Sequence, residues 1–183
     1  MINIMLIGAG KLGSRHLQAL SQVQLKDTNL YVVDLNQSAL DLSKKRLNEM
    51  PENKNIKSIK YLLNIENIEI PEIDLAVIAT TSEHRKKVIQ DLCSTYKVNN
   101  IILEKFLFQD EESYYEVEKI LTNYKIKTWV NCPRREWPLY KDIKDKLKNS
   151  QILQFNVTGT KWSIATSAIH FIDLIAYITG DTD

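Results

Sequence analysis

The chain has 183 residues, a length for one domain or for one domain and part of a second. Hydrophobic residues make up 44% and charged residues 26%, an ordinary globular composition that excludes wholesale disorder. Lys+Arg is 24 and Asp+Glu is 23, a net charge of +1, without the basic footprint of a nucleic-acid binder. No apolar run approaches the ~20 residues of a membrane span. The opening Met1-Ile2-Asn3-Ile4-Met5-Leu6 has no basic n-region, so a signal peptide is not expected either. Cys93 and Cys132 form no spaced motif. No metal site is expected, and a reducing cytoplasm is the expected setting.

The segment Ile2–Ile7 is an apolar run of strand length. Residues 11–22 then carry helical spacing, with Leu12, His16, Ala19, Leu20 and Val23 towards one side. Residues 29–34 read as a second buried strand. Ser38 is placed to cap a helix reaching about position 50, with Asp41 at the capping-box position and Pro51 beyond the end. Ile56–Leu62 is a third strand and residues 74–80 a fourth. Ser82 then caps a helix to about position 96. Residues 100–106 are a fifth strand, and Asp110 opens a helix to about position 124. Residues 126–131 are a sixth strand and 135–148 a further helix. A strand at 152–159 and a helix over Ile164–Thr179, stopped by Gly180, close the chain. Strands alternating with helices at this spacing predict an α/β fold: a doubly wound parallel sheet with helices on both faces. A domain boundary is expected near 134–138, giving units 1–133 and 134–183.

Glycine is the most informative residue type. The chain has five, and Gly8, Gly10 and Gly13 fall within six positions. Gly8-Ala9-Gly10-Lys11-Leu12-Gly13 matches G-x-G-x-x-G, between a buried strand and a helix, which is the context a dinucleotide fingerprint requires. The first glycine permits a tight turn, the second lets a diphosphate approach the backbone at the helix start, and the third allows close helix–strand packing. Asp34 follows Gly13 by 21 positions at the end of the second strand, where a carboxylate accepts hydrogen bonds from the adenosine ribose. It also repels a 2′-phosphate, and Leu35-Asn36 offer no cation to offset that. NAD is therefore expected over NADP. The competing reading is a glycine turn that serves another ligand, such as S-adenosylmethionine.

Beyond the turn, several segments resemble the Gfo/Idh/MocA oxidoreductases, the glucose–fructose oxidoreductase and inositol dehydrogenase family. Gly8–Gly13 with Ser14-Arg15-His16 resembles its G-x-G-x-x-G-x-x-H opening. Ala79-Thr80-Thr81-Ser82-Glu83-His84 resembles its A-T-P-x-x-x-H segment, shifted by one residue and without the proline. Leu103-Glu104-Lys105-Phe106 resembles its E-K-P motif, with Phe106 in place of proline. Asn131 through Arg134-Arg135 and Pro138 resembles N-x-R-x-x-P, and residues 167–174 resemble the family's G-x-H-x-x-D helix, with His170 and Asp173 in place.

The resemblance implies a Rossmann-type domain followed by the start of a second, α+β domain. It implies hydride transfer between NAD(P) and a carbinol carbon of a sugar-like or cyclitol small molecule. Cofactor contacts are implied at Gly8, Gly10, Lys11, Leu12, Gly13, Asp34, Thr80, His84 and Glu104. Lys105, at a strand's carboxyl end, would position and polarise the reacting oxygen, and His170 would exchange its proton. Where many members carry Asp four residues before that histidine, this chain has Thr166, whose hydroxyl cannot orient an imidazole as a carboxylate does.

Each of these residues also has a structural reading. His16 is read as packed or hydrogen-bonded structure. His84 is either a nicotinamide-ribose contact or part of a helix start, and Lys105 either functional or a plain lysine at a strand end. Asp173 either orients His170 or is a polar helix position. Arg134 and Arg135 either grip an anion or form ion pairs. Cys93 is read as a small buried hydrophobe. The runs Lys44-Lys45-Arg46 and Arg85-Lys86-Lys87 are read as solvated helix faces.

Family members generally continue into a broad, mostly antiparallel sheet. The helix Ile164–Thr179 is apolar on nearly every side and so expects cover all round. The preceding strand, alternating Leu153, Phe155 and Val157, would be an edge. The expectation is a C-terminally short member, a homo-oligomer, or a chain completed by a partner subunit over this strand and helix. No nucleic-acid or membrane partner is expected. Three functions compete: an NAD-dependent oxidoreductase, an NAD(H)-binding module without turnover, and a fold without a ligand.

Overall fold

The structure is a computed structural model that describes residues 1–66, 68–150, 154–160 and 163–180. The chain forms two compact units, Met1–Val130 and Asn131–Asp183.

The first unit is built on six parallel strands. In chain order the elements are β1 (Ile2–Ile7), α1 (Gly13–Leu20), β2 (Thr28–Val33), α2 (Gln37–Leu47), β3 (Ile56–Leu62), β4 (Glu72–Ile73) and β5 (Leu75–Ile78). There follow α3 (Ser82–Thr95), β6 (Lys97–Val98), β7 (Asn100–Leu103), α4 (Glu111–Asn123) and β8 (Lys127–Val130). The sheet order is β3-β2-β1-β5-β7-β8, with every neighbouring pair parallel. The chain winds outward from β1 to β3, then returns to the other side of β1 and winds outward again. That reversal places the carboxyl ends of β1 and β5 side by side, the crevice where doubly wound sheets take their ligands. β4 and β6, two residues each, pair with one another as a separate short ladder that the sequence reading passed over.

The central strands are apolar throughout because both sheet faces are covered. Alternate side chains feed two cores. Ile4, Leu6, Leu30, Val32 and Val77 pack with Leu17 of α1 and Leu40 of α2. Met5, Ile7, Tyr31, Val33, Ala76 and Ile78 pack with Ile89 and Leu92 of α3 and Val117 of α4. Cys93 belongs to this second core, and burial pushes its thiol up to about 11, which makes it inert.

Helix starts differ from expectation in two places. Asn36, not Ser38, caps α2: its Oδ1 accepts the Ser38 N–H at 2.9 Å. Thr81 stands at the cap of α3, which has no side-chain capping bond. Asp110 caps α4 as read, accepting from Ser113 N at 2.8 Å and from Ser113 Oγ at 2.8 Å.

The second unit holds a 3₁₀ turn at Pro133–Glu136, α5 (Pro138–Leu147) and α6 (Ile164–Thr179). The single helix expected over 135–148 is broken at Trp137, whose extended backbone precedes Pro138. Residues 154–159 are not a strand, and Leu153 and its two predecessors lie outside the described residues. Lys144 Nζ lies 4.0 Å from the Tyr177 ring centroid, and the Arg134 guanidinium 4.1 Å from that of Phe171. On α6, Leu174 and Ile178 are buried while Ile164 and Ile172 are exposed, so this helix is not covered all round within the described residues. No helix among the described residues is long and apolar enough to cross a membrane.

Candidate functional site

The glycine turn joins β1 to α1, and its three glycines are held for three different reasons. Gly8 has φ +93°, in the left-handed region, and a Cβ there would stand 2.9 Å from Ala79 C and Thr80 N. A Cβ at Gly13 would stand 1.7 Å from Gly8 O, inside bonding distance of the turn's own backbone. At Gly10 a Cβ would meet nothing within 4 Å. The fold therefore requires the outer two glycines, while the middle one leaves open space over the turn. That is the arrangement a diphosphate needs to approach the backbone. α1 begins at Leu12 and Gly13 without a side-chain capping bond to its first backbone N–H groups among the described residues.

Asp34 is tied to this turn. Its Oδ2 accepts the Ala9 N–H at 2.7 Å and its Oδ1 the Asn36 N–H at 2.8 Å. These two bonds fix the carboxylate, yet each oxygen keeps further acceptor capacity for a hydroxyl donor. Arg46, in a run that reads from the sequence as a solvated face, reaches back to the turn. Its Nη1 donates to Lys11 O at 2.7 Å and to Ser14 Oγ at 2.6 Å. Lys11 and Leu12 themselves are exposed.

On the other side of the crevice the chain leaves β5 through Ala79 and Thr80 and leaves β7 through Glu104 and Lys105. Thr80 Oγ1 is buried without a hydrogen-bond partner among the described residues. Glu104 is 3% exposed, and its Oε1 lies 2.6 Å from Nε2 of His16. This contact joins the helix of the glycine turn to the end of β7, which bears out the structural reading of His16. Lys105 is half-buried, its Nζ 5.7 Å from the Phe106 ring centroid, and the Lys105–Phe106 peptide is cis.

His84 lies in the first turn of α3, 70% exposed, with Nε2 4.0 Å from Glu83 Oε2. The side chain built into the site from this segment is its neighbour. Arg85 is 2% exposed and donates to Thr80 O, Phe106 O and, at 2.9 Å, Leu107 O. Burial lowers its pKa from the usual arginine value, and the charge of Glu104 works against that. Counted strictly from Ala79, the family's histidine position falls on 85, not 84. A second signal lies in α3, where Arg85 shares the buried positions with Ile89, Leu92 and Cys93.

His170 lies half-buried on α6 in the second unit. Asp173 lies three residues further along the same helix. Arg135 holds that carboxylate at two points, Nε to Oδ2 at 3.1 Å and Nη2 to Oδ1, which raises the Arg135 pKa. Arg135 is thus an ion-pair partner. Thr166 Oγ1 donates to Ser163 O at 3.4 Å.

The site of the first unit therefore gathers Gly8, Gly10, Gly13, Asp34, Thr80, Glu104 and Lys105 at the carboxyl ends of β1, β2, β5 and β7. Open space at Gly10, a fixed carboxylate and an unpartnered hydroxyl at Thr80 fit a dinucleotide. Residues 2–132 match the model of the Gfo/Idh/MocA family, described as an oxidoreductase family with an NAD-binding Rossmann fold. The chain belongs to this family. Among curated proteins, none matches it.

Solved structures agree on the fold. A myo-inositol dehydrogenase from Lactobacillus casei, in complex with NAD(H) and myo-inositol, superposes with a TM-score of 0.72 at 20% identity, over 99% of this chain and 55% of that one. A scyllo-inositol dehydrogenase from Lactobacillus casei, with bound NAD(H) and scyllo-inositol, gives 0.70 at 18% identity, over 98% and 56%. An oxidoreductase from Agrobacterium radiobacter, in complex with NAD+, L-tartaric acid and magnesium, gives 0.72 at 18%, over 98% and 55%. The chain thus spans about half the length of these family members.

Proposed function

We propose that the chain binds NAD(H) at the glycine turn and serves hydride transfer to or from a carbinol carbon of a sugar-like or cyclitol substrate. The observation that carries this reading is the contrast among the glycines: two are demanded by the fold, and at Gly10 a Cβ would meet no atom of the described residues within 4 Å. Gly8, Gly10, Gly13 and the start of α1 would hold the diphosphate, and Asp34 the adenosine ribose. Thr80, Glu104 and Lys105 lie beyond the strand-order reversal, on the side left for the nicotinamide. The bound nicotinamide would supply the hydride acceptor. Lys105 would donate to the substrate oxygen and hold it in place, and the loss of a hydroxyl proton to a positioned base would complete the oxidation. The assignment of that base to His170 rests on the family resemblance of its helix.

Fluorescence titration with NADH tests binding, and NADH production from a polyol panel tests turnover. Lys105→Ala should lower kcat about 10²-fold or more, the usual weight of a positioned proton-handling group, with NADH affinity unchanged. Full turnover by that variant would remove Lys105 from the mechanism. Binding with no turnover on any polyol would leave the NAD(H)-binding module without catalysis.

Asp34 predicts the cofactor preference. The fixed carboxylate should weaken NADPH against NADH by about tenfold or more, roughly 1.4 kcal/mol. Asp34→Asn, which keeps an acceptor for Ala9 N–H but removes the charge, should narrow that gap. Calorimetric titration with both nucleotides checks this, and equal affinities in the wild type would contradict it.

A further inference from the structure

Arg85 is the largest fully buried side chain among the described residues, at 2% exposed. A guanidinium withdrawn from water needs its charge faced and its N–H groups answered. Nη1 donates to Phe106 O and Leu107 O, and Nη2 to Thr80 O. Glu104, also buried, faces the charge. Nε has no hydrogen-bond partner among the described residues. An apolar side chain of similar volume would fill this space without the desolvation cost. The arginine adds a rigid fork that ties the loop leaving β5 to the loop leaving β7.

We propose that Arg85 is a positioning residue for the nicotinamide half of the cofactor site, acting through the backbone of Thr80 and of the 106–107 loop. The inference rests on the NAD(H) reading above. In the strand order, Asp34 follows β2 on one side of β1, whereas Arg85 bridges the ends of β5 and β7 on the other. A dinucleotide with its diphosphate on the glycine turn and its adenosine ribose at Asp34 extends its remaining half over β5 and β7. Loosening the fork therefore disturbs one half of the ligand and spares the other. Thr80 and Lys105 lie next to the carbonyls or peptide that Arg85 secures, so their placement follows from it.

NADH and ADP separate the halves, because both carry the adenosine diphosphate and only NADH carries the nicotinamide and its ribose. Arg85→Lys keeps the charge but replaces a fork with a point donor, which cannot span carbonyls on two loops. In calorimetric titrations this variant should lose about tenfold in NADH affinity and keep its ADP affinity within about twofold. Wild-type affinity for both ligands, or an equal loss for both, overturns the proposal. The first result shows the fork to be dispensable, and the second shows Arg85 to be purely structural. Wild-type protein that binds neither ligand instead brings down the NAD(H) reading and this inference with it. Should Arg85→Lys fail to fold, amide hydrogen exchange on the wild type decides. NADH should protect residues 80–85 and 105–108 together, and ADP neither. Protection of one loop alone, or of both by ADP, overturns the proposal.

Discussion

Gly13→Ala is expected to cost the first unit about 3 kcal/mol or more of its stability, the upper end for overpacking a close contact. The methyl group would stand 1.7 Å from Gly8 O and 2.7 Å from Gly8 C, so one of the two backbones must move. Gly8 has little room to do so. Its N–H is bonded to Val33 O at 2.8 Å, and its own α-carbon faces the Ala79–Thr80 backbone. α1 would have to lift from β1 and separate Leu17 from Ile4 and Leu6, its partners in one core. Set against the roughly 5–15 kcal/mol that holds a domain together, that loss is a large fraction. Urea unfolding checks it: the midpoint should fall well below that of the wild type. A variant within about 0.5 kcal/mol of wild type, the range of an ordinary surface change, would mean that the contact in the turn relaxes freely.

The central strands and the sheet's two-sided cover are legible in the sequence for one reason. Strands buried on both faces, such as Ile4 to Ile7 or Ala76 to Ile78, read as unbroken apolar runs bounded by polar residues. β4 and β6 carry no such run, since two residues are too few for any period. The caps of α2 and α3 are ambiguous in the sequence because Asn36 and Ser38, or Thr81 and Ser82, are all competent capping residues. The choice falls where the backbone leaves the extended region, which tertiary contacts decide. The proposed strand at 152–159 was inferred from alternation alone, a weak signal without a neighbour to pair with.

The site was legible in its glycines, since glycine is costly elsewhere and its clustering points to a backbone requirement. It was illegible in Arg85 and Arg46. A run such as Arg85-Lys86-Lys87 reads as a solvated face when charge is weighed alone. Helical phase separates its members: position 85 aligns with Ile89, Leu92 and Cys93, all buried, while Lys87 pairs with Asp91 in solvent. Arg46 gives no comparable signal, because the carbonyl it reaches is 35 residues away in the chain. Asp173 is a further case: the Arg135 that grips it lies 38 residues away in the chain, beyond any local pattern.

Gly10→Val should leave stability nearly untouched and remove cofactor binding, the opposite of Gly13→Ala at a position three residues away. A Cβ at Gly10 meets no atom within 4 Å, and the backbone there lies outside the left-handed region, so the fold has no objection to a side chain. Its unfolding free energy should stay within about 0.5 kcal/mol of wild type, as for a surface change. The valine methyls would occupy the space through which a diphosphate reaches the backbone N–H groups of the turn. The NADH dissociation constant should rise at least about a hundredfold, roughly 2.7 kcal/mol. Paired titration and unfolding curves on this one variant separate the two demands on the turn, because a loss of binding cannot then be blamed on a loss of folding. If the variant binds NADH as tightly as the wild type, the open space at Gly10 is not where the diphosphate lies. The glycine turn would then be a device for packing α1 against β1, and the functional reading would have to be rebuilt from Thr80, Glu104 and Lys105 alone.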